Sequence, residues 1–142
     1  GNDGDYSEEI KQAAYNSEYS SDIFITGYFP FESFAKLYTG SSACIFPSEN
    51  EGVGLPILES MACGIPVLCS SKGALKEAGG DAPIYFDSNN IEEIAANMQL
   101  IVDNKEVYQN KVDAGLNRAN KFNWKSTVDE TFKLIEKLFL SK

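Results

Sequence analysis

Short continuous apolar runs alternate along the chain with stripes at helical spacing. Ile23-Phe24-Ile25-Thr26, Ala43-Cys44-Ile45-Phe46, Val67-Leu68-Cys69 and Ile84-Tyr85-Phe86 are closed by Gly27, Pro47, Ser70 and Asp87. Runs of this kind predict buried strands near 23–26, 43–46, 67–69 and 84–86. Between them, Phe31, Phe34, Ala35 and Tyr38 recur at helical spacing until Gly40-Ser41-Ser42 stops the pattern. Ile57, Leu58, Met61 and Ala62 share one face of a helix that Pro56 suits at its first turn and that Gly64 and Pro66 end. Residues 6–15 have the composition of a short helix, and Leu75 to Ala78 make a helical turn. Asp87-Ser88-Asn89-Asn90 is a loop and cap cluster, after which 91–140 reads as helical. Ile91, Ile94, Ala95, Met98 and Val102 mark one helix, Val107 to Lys121 a more polar one, and Val128, Phe132, Ile135 and Phe139 a third behind the cap Asn123.

Continuous apolar strands alternating with helices predict an α/β fold: a Rossmann-like parallel sheet with helices on both faces, binding ligands at the carboxyl ends of its strands. The loops after Gly27, Pro47, Cys69 and Phe86 are then the places where chemistry belongs. No internal repeat or Pro-rich linker divides the chain, so 1–142 reads as a single domain or part of one.

Composition narrows the chemistry. The 142 residues carry 12 Lys plus Arg against 21 Asp plus Glu, a net charge of −9, which argues against a track for a nucleic-acid backbone. The absence of histidine removes the commonest general base and the commonest zinc ligand, so a Ser-His or zinc-hydrolase mechanism is not expected of this chain. Cys44, Cys63 and Cys69 form an odd set without a CxxC and read as buried thiols of a reducing compartment. No apolar run approaches the roughly 20 residues of a membrane span, and the acidic start Gly1-Asn2-Asp3-Gly4-Asp5 is unlike a signal peptide.

The most informative stretch runs from Pro47 to Val67 and contains Glu51-Gly52-Val53-Gly54-Leu55-Pro56-Ile57-Leu58-Glu59. Gly52 and Gly54 let backbone approach a ligand, and the amides around Gly54 and Leu55 are free donors at a helix start, where the dipole favours an anion such as a diphosphate. Glu51 before the helix and Glu59 about one turn inside it flank that position, suited to accept hydrogen bonds from sugar hydroxyls.

At these residues the sequence resembles the retaining, nucleotide-sugar-dependent group 1 glycosyltransferases, the relatives of glycogen and sucrose synthases. Their mark is E-G-x-G-L-P-x-L-E, the E-x7-E motif, here running from Glu51 to Glu59. Phe24-Ile25-Thr26-Gly27-Tyr28, Leu37-Tyr38, Met61-Ala62-Cys63-Gly64-Ile65-Pro66-Val67, Gly73-Ala74, Glu77, Gly80-Asp81-Ala82 and Phe122-Asn123-Trp124 match in the family's order, so the resemblance covers nearly the whole chain. It implies the carboxyl-terminal, donor-binding half of a GT-B glycosyltransferase. In that family Glu51 would contact hydroxyls of the donor sugar, Glu59 the ribose hydroxyls, Gly52, Val53, Gly54 and Leu55 the sugar and diphosphate through their amides, and Tyr28 and Phe29 the base. The implied reaction is sugar transfer with retention from a UDP- or GDP-linked donor, without a metal or other cofactor, in the cytoplasm, to a glycan or lipid-linked acceptor.

The family's domain begins with two strands and a loop bearing an Arg and a Lys that clamp the diphosphate, followed by a Gly-rich turn like Gly1-Asn2-Asp3-Gly4. The chain as given starts at that turn. The first two strands, the basic pair and the amino-terminal acceptor-binding half are therefore expected to be missing, leaving this chain alone without catalytic competence and the strand at Ile23 without its neighbours, so that either something else completes the sheet or that strand repacks or frays. Val53 and Lys76 are minor departures, at places where Phe and Pro are common in the family. An alternative is a truncated, non-catalytic nucleotide-sugar-binding or subunit-interaction module, and an open sheet edge is a further route to self-association.

Blander readings stand beside the sharp ones. Glu49 lies off the motif and reads as solvated surface. Lys72, in the loop after the third run, faces the expected ligand edge as a compensating cation or, more simply, as a solvated lysine. Asp3-Gly4-Asp5 imitates a D-x-D metal site but reads as an acidic turn at a free end. Tyr28 and Phe29 are as readily core aromatics as base contacts.

Overall fold

The structure, a computed structural model, describes residues 7–140. The chain divides into two compact units, residues 1–36 and 37–142. In the first, α1 spans Ser7–Asn16, a single 3-10 turn covers Ser20–Asp22, and α2 starts at Phe31 and runs to Thr39, crossing the division. The start of the predicted first helix at Tyr6, and the turn Asp3-Gly4-Asp5, lie outside the described residues.

The predicted strand at 23–26 is not formed. Ile23, Phe24 and Ile25 are 42%, 81% and 51% exposed and belong to no sheet. Strand-forming side chains become a strand only when a neighbouring ladder takes their backbone N–H and C=O groups, and no described segment of this unit supplies one.

The second unit is a parallel α/β layer structure. Its sheet comprises β1 (Cys44–Phe46), β2 (Val67–Ser70) and β3 (Ile84–Phe86) in the order β1-β2-β3, with Cys44 opposite Val67, and Leu68 and Cys69 opposite Ile84 and Tyr85. Three predicted strands thus stand where the apolar runs put them. Helix α3 (Leu55–Ala62) crosses from β1 to β2 and α4 (Leu75–Gly79) from β2 to β3, followed by α5 (Ile91–Asp103), α6 (Lys105–Ala119) and α7 (Trp124–Leu140). Among the described residues no further strand pairs with the free edges of β1 and β3.

Period-two alternation on β2 divides the core. Val67 and Cys69 point into one cluster with Ile57, Leu58 and Met61 of α3, Leu75 and Ala78 of α4, and Ala119 of α6. Leu68 points the other way, against Phe86, Ile101, Ile94 and Val107. Both faces of the central strand are thereby covered, which is why it reads as an unbroken apolar run. Ile57, Leu68 and Leu75 are fully buried, each worth about 1.5–3 kcal/mol by area removed from water.

Side chains of α6 hold the end of α4 in place. Arg118 donates from Nε to the Ala78 carbonyl at 2.8 Å and also to the Glu77 carbonyl, and Lys111 donates to the Pro83 carbonyl at 3.2 Å. Two expected caps act as such, Asn90 accepting from the Glu93 amide at 3.0 Å and Asn123 from Ser126 at 2.9 Å, and Asn104, not singled out in the sequence, accepts from Val107 at 3.0 Å. The last helix is where the pattern put it, yet none of its residues is buried. Phe132 and Phe139 remain 62% and 76% exposed.

Candidate functional site

The carboxyl ends of β1, β2 and β3 carry three loops: residues 47–54, 71–74 and 87–90. The first holds the Gly-rich motif and opens α3. Gly54 sits before that helix with φ 78° and ψ 43°, left-handed backbone that glycine adopts without penalty. It is buried against Leu75: a Cβ there would lie 2.6 Å from Leu75 Cδ2. Pro56 follows in the first turn, where its missing N–H costs nothing. Among the described residues no protein acceptor takes the amides of Gly52, Val53, Gly54 or Leu55. These donors gather in one short segment at the positive end of α3, in which Gly54 is buried and Gly52, Val53 and Leu55 are exposed. Gly52 is exposed and the Val53 and Leu55 side chains are each 55% exposed beside it.

Glu51 is half-buried and held from two sides. Ser48 Oγ donates to its Oε1 at 2.9 Å, and its carbonyl accepts from the Ala74 amide at 3.1 Å. The backbones of the two loops touch at Gly73, where a Cβ would lie 3.0 Å from the Glu51 nitrogen, at φ 58°. Ser70, fully buried at the end of β2, donates to the Ser48 carbonyl. The motif loop is thus pinned at Ser48 and Glu51 by the strand and loop next to it.

Glu59 lies on the exposed side of α3, while Ile57, Leu58, Ser60 and Met61 are buried. Its Oε2 accepts from the Tyr38 hydroxyl at 3.4 Å. Burial, then the Glu59 charge and Cys44, push the Tyr38 hydroxyl above its ordinary pKa, so it remains a donor near neutrality. The structure therefore places Glu51, Gly52, Val53, Gly54, Leu55 and Glu59 on one loop and the helix it opens.

Tyr28 and Phe29 belong to the first unit. Tyr28 is 78% exposed, so the core-aromatic alternative does not describe it. Phe29 is half-buried and its ring packs on Phe34 with centroids 5.9 Å apart, tilted by 59°.

Glu49 and Lys72 are exposed, as the solvated reading has it, and they are also paired: Lys72 Nζ lies 2.6 Å from Glu49 Oε1. The same oxygen accepts from Ser88 Oγ at 2.7 Å and from Asn89 Nδ2 at 3.3 Å. These bonds, led by Lys72, hold the Glu49 carboxyl below the usual carboxylate range and raise the Lys72 ammonium above its own. Sequence reasoning missed this cluster because its members are 23, 39 and 40 residues apart. Ser48 did leave a local signal, an S-x-x-E spacing to Glu51 that resembles a capping box, although here the hydroxyl bonds the carboxylate itself.

The cysteines follow their reading in part. Cys69 is buried while Cys44 and Cys63 are half-buried, and all three are free thiols. Among the described residues no group of three or more His, Cys, Asp and Glu side chains is placed to hold a metal ion, and no helix is long and apolar enough to cross a membrane.

With this geometry established, comparison with known proteins decides the family: the pattern of the group 1 glycosyl transferases matches residues 1–118. The chain belongs to that family. It is similar to the O-antigen chain mannosyltransferase B of Escherichia coli, 36% identical over 105 residues that are 74% of this chain and 28% of that protein. A D-inositol 3-phosphate glycosyltransferase of Geodermatophilus obscurus is 32% identical over 101 residues, 69% of this chain and 22% of that one. The chain thus spans about a quarter of the length of these relatives. Among solved structures, the sucrose-phosphate synthase of Thermosynechococcus elongatus shares the fold with a TM-score of 0.87 at 23% identity, over 100% of this chain and 38% of that one. The C-terminal domain of a group 1 family glycosyl transferase from Francisella tularensis gives 0.72 at 20% identity, over 82% and 62%. This group 1 glycosyltransferase chain thus has the Rossmann-like α/β fold that its apolar pattern predicted, matching GT-B glycosyltransferase C-terminal domains.

Proposed function

We propose that the chain is the donor-binding part of a retaining glycosyltransferase, which moves a sugar from a nucleoside-diphosphate sugar to a glycan or lipid-linked acceptor. The observation that carries this reading is the presentation of the motif: unpaired amides from Gly52 to Leu55 at the start of α3, with Glu51 braced on one side and Glu59 on the other. In this reading the Glu51 carboxylate accepts hydrogen bonds from hydroxyls of the donor sugar and Glu59 from those of the ribose. The amides of Gly52, Val53, Gly54 and Leu55 meet the sugar and diphosphate, and Tyr28 and Phe29 lie against the base.

As the bond from the anomeric carbon to the diphosphate oxygen breaks, charge grows on the departing nucleoside diphosphate. Preorganised amides and the dipole of α3 stabilise that charge without a metal or cofactor. The new bond to the acceptor oxygen forms on the same face of the sugar, and the acceptor is held by an amino-terminal half beyond these residues. A mannosyl donor is the first to test, because mannosyl transfer is named for several of the relatives.

Calorimetric titration with GDP-mannose, UDP-glucose and UDP tests the proposal. Binding at millimolar Kd or tighter to at least one of them is expected. Glu59→Ala should weaken it by about 10- to 100-fold, the worth of a hydrogen bond to a charged group at about 1.5–3 kcal/mol. A folded sample that takes up none of the three refutes the donor-site reading.

A further inference from the structure

Three loops leave the carboxyl ends of the three strands, and one carboxylate oxygen joins them. Glu49 Oε1 receives Lys72 Nζ from the loop after β2, and Ser88 Oγ and Asn89 Nδ2 from the loop after β3, at 2.6, 2.7 and 3.3 Å. Glu49 itself stands two residues before Glu51. Backbone contacts tie the motif loop to the β2 side at Ser48 and Glu51. Among the described residues Glu49 is the side chain of that loop that reaches the β3 side. We propose that Glu49 is the positioning residue of the donor loop: by clasping the loops after β2 and β3 it sets where the Glu51 carboxylate meets the donor sugar.

The inference rests on the donor-site reading above and adds to it a residue outside the E-x7-E motif. Two physical consequences follow from the geometry. First, Glu49 is a carboxylate on the same short loop as amides that would face a diphosphate, and the Lys72 ammonium neutralises it there. Second, a hydroxyl contact from the sugar to Glu51 depends on a loop held to a fraction of an ångström, and a displacement of about 1 Å can cost on the order of 100-fold. Removing the Glu49 carboxylate frees the Lys72 charge and releases the motif loop from side-chain ties to the loops after both β2 and β3, so that the Ala74–Glu51 bond holds it with less support. Binding of nucleoside diphosphate alone should then stay level or tighten, while the added affinity from the sugar is lost. A role in stability alone would weaken both ligands equally.

The test compares wild type with Glu49→Ala and Glu49→Gln on this chain. Kd is measured for GDP and GDP-mannose, or for UDP and UDP-glucose where wild type prefers uridine, together with amide exchange at Ala74, whose N–H goes to the Glu51 carbonyl. Glu49→Ala is expected to reduce the affinity ratio of sugar nucleotide to diphosphate by at least about tenfold. It should also speed exchange at Ala74 by about tenfold while Cys69, in the central strand, keeps its protection. Glu49→Gln, whose amide oxygen can still accept from Lys72, Ser88 and Asn89, should retain part of both. Unchanged exchange at Ala74, or equal loss for both ligands, overturns the proposal while leaving the donor site intact. A wild type that binds no nucleotide refutes the donor-site reading and with it any role of Glu49 toward a donor, whatever Ala74 does.

Discussion

Replacing Gly54 by alanine is the sharpest test of the loop geometry, because two separable costs meet at one atom. At φ 78° any Cβ meets its own backbone in the left-handed region, worth about 1–2 kcal/mol. The same Cβ would lie 2.6 Å from Leu75 Cδ2, and Leu75 is fully buried, so the core must shift to admit it at about 1–3 kcal/mol. Gly54→Ala is therefore expected to destabilise the chain by about 2–5 kcal/mol. Urea unfolding should show a lower midpoint with an unchanged slope. Leu75→Val removes the opposing methyl at about 1 kcal/mol on its own. The double variant should then be less destabilised than the sum of the singles by the overlap part, about 1–3 kcal/mol. If Gly54→Ala costs under about 1 kcal/mol and the two changes add within about 0.5 kcal/mol, Gly54 is neither left-handed nor seated on Leu75, and the derivation is wrong.

Other consequences can be checked in parallel. Gly73→Ala puts a Cβ 3.0 Å from the Glu51 nitrogen, a backbone atom that cannot swing away, so it should lower the thermal midpoint and abolish binding of sugar nucleotides. Burial, and then Cys44, push the Cys69 thiol up to about 12, so at pH 8 a thiol reagent should modify Cys69 only as the chain unfolds; rapid labelling of the native protein there contradicts the packing of β2. Glu49 faces Lys72, Ser88 and Asn89, with Asp87 near the lysine, and its folded pKa lies below the unfolded value near 4.3. Its contribution is thus complete above that value and lost as pH falls through the folded pKa. The thermal midpoint of wild type minus that of Glu49→Gln should accordingly be constant above about pH 5 and shrink as acid takes the pH through the folded pKa. A difference that does not shrink with acid means that the carboxylate charge is not what holds the loops.

The motif loop shows how the levels combine. A loop that must turn sharply, offer amides and start a helix needs glycine, proline and a polar flank in a fixed order, and that order is written locally from Glu51 to Glu59. What braces it is not local. Lys72, Ser88 and Asn89 converge on Glu49 because parallel strands bring their carboxyl ends to one edge, and nothing in the spacing of these four residues announces it. Tyr38 reaches Glu59 for a similar reason, across 21 positions.

Local pattern alone determined the three strands of the sheet, the crossing helices, the caps Asn90 and Asn123, and the family motif, because each depends on neighbours a few residues away. It put a strand at Ile23 to Thr26, whose side chains suit one but whose backbone, without the sheet neighbours expected to be missing, finds no ladder among the described residues. It set the length and period of α7 correctly and had nothing to say about whether that apolar face would be covered. Only the tertiary structure decided which strands pair, which carboxylate is neutralised and which glycine lies against a core leucine. Pairing, neutralisation and close packing are properties of two surfaces at once, and a sequence lists those surfaces one residue at a time.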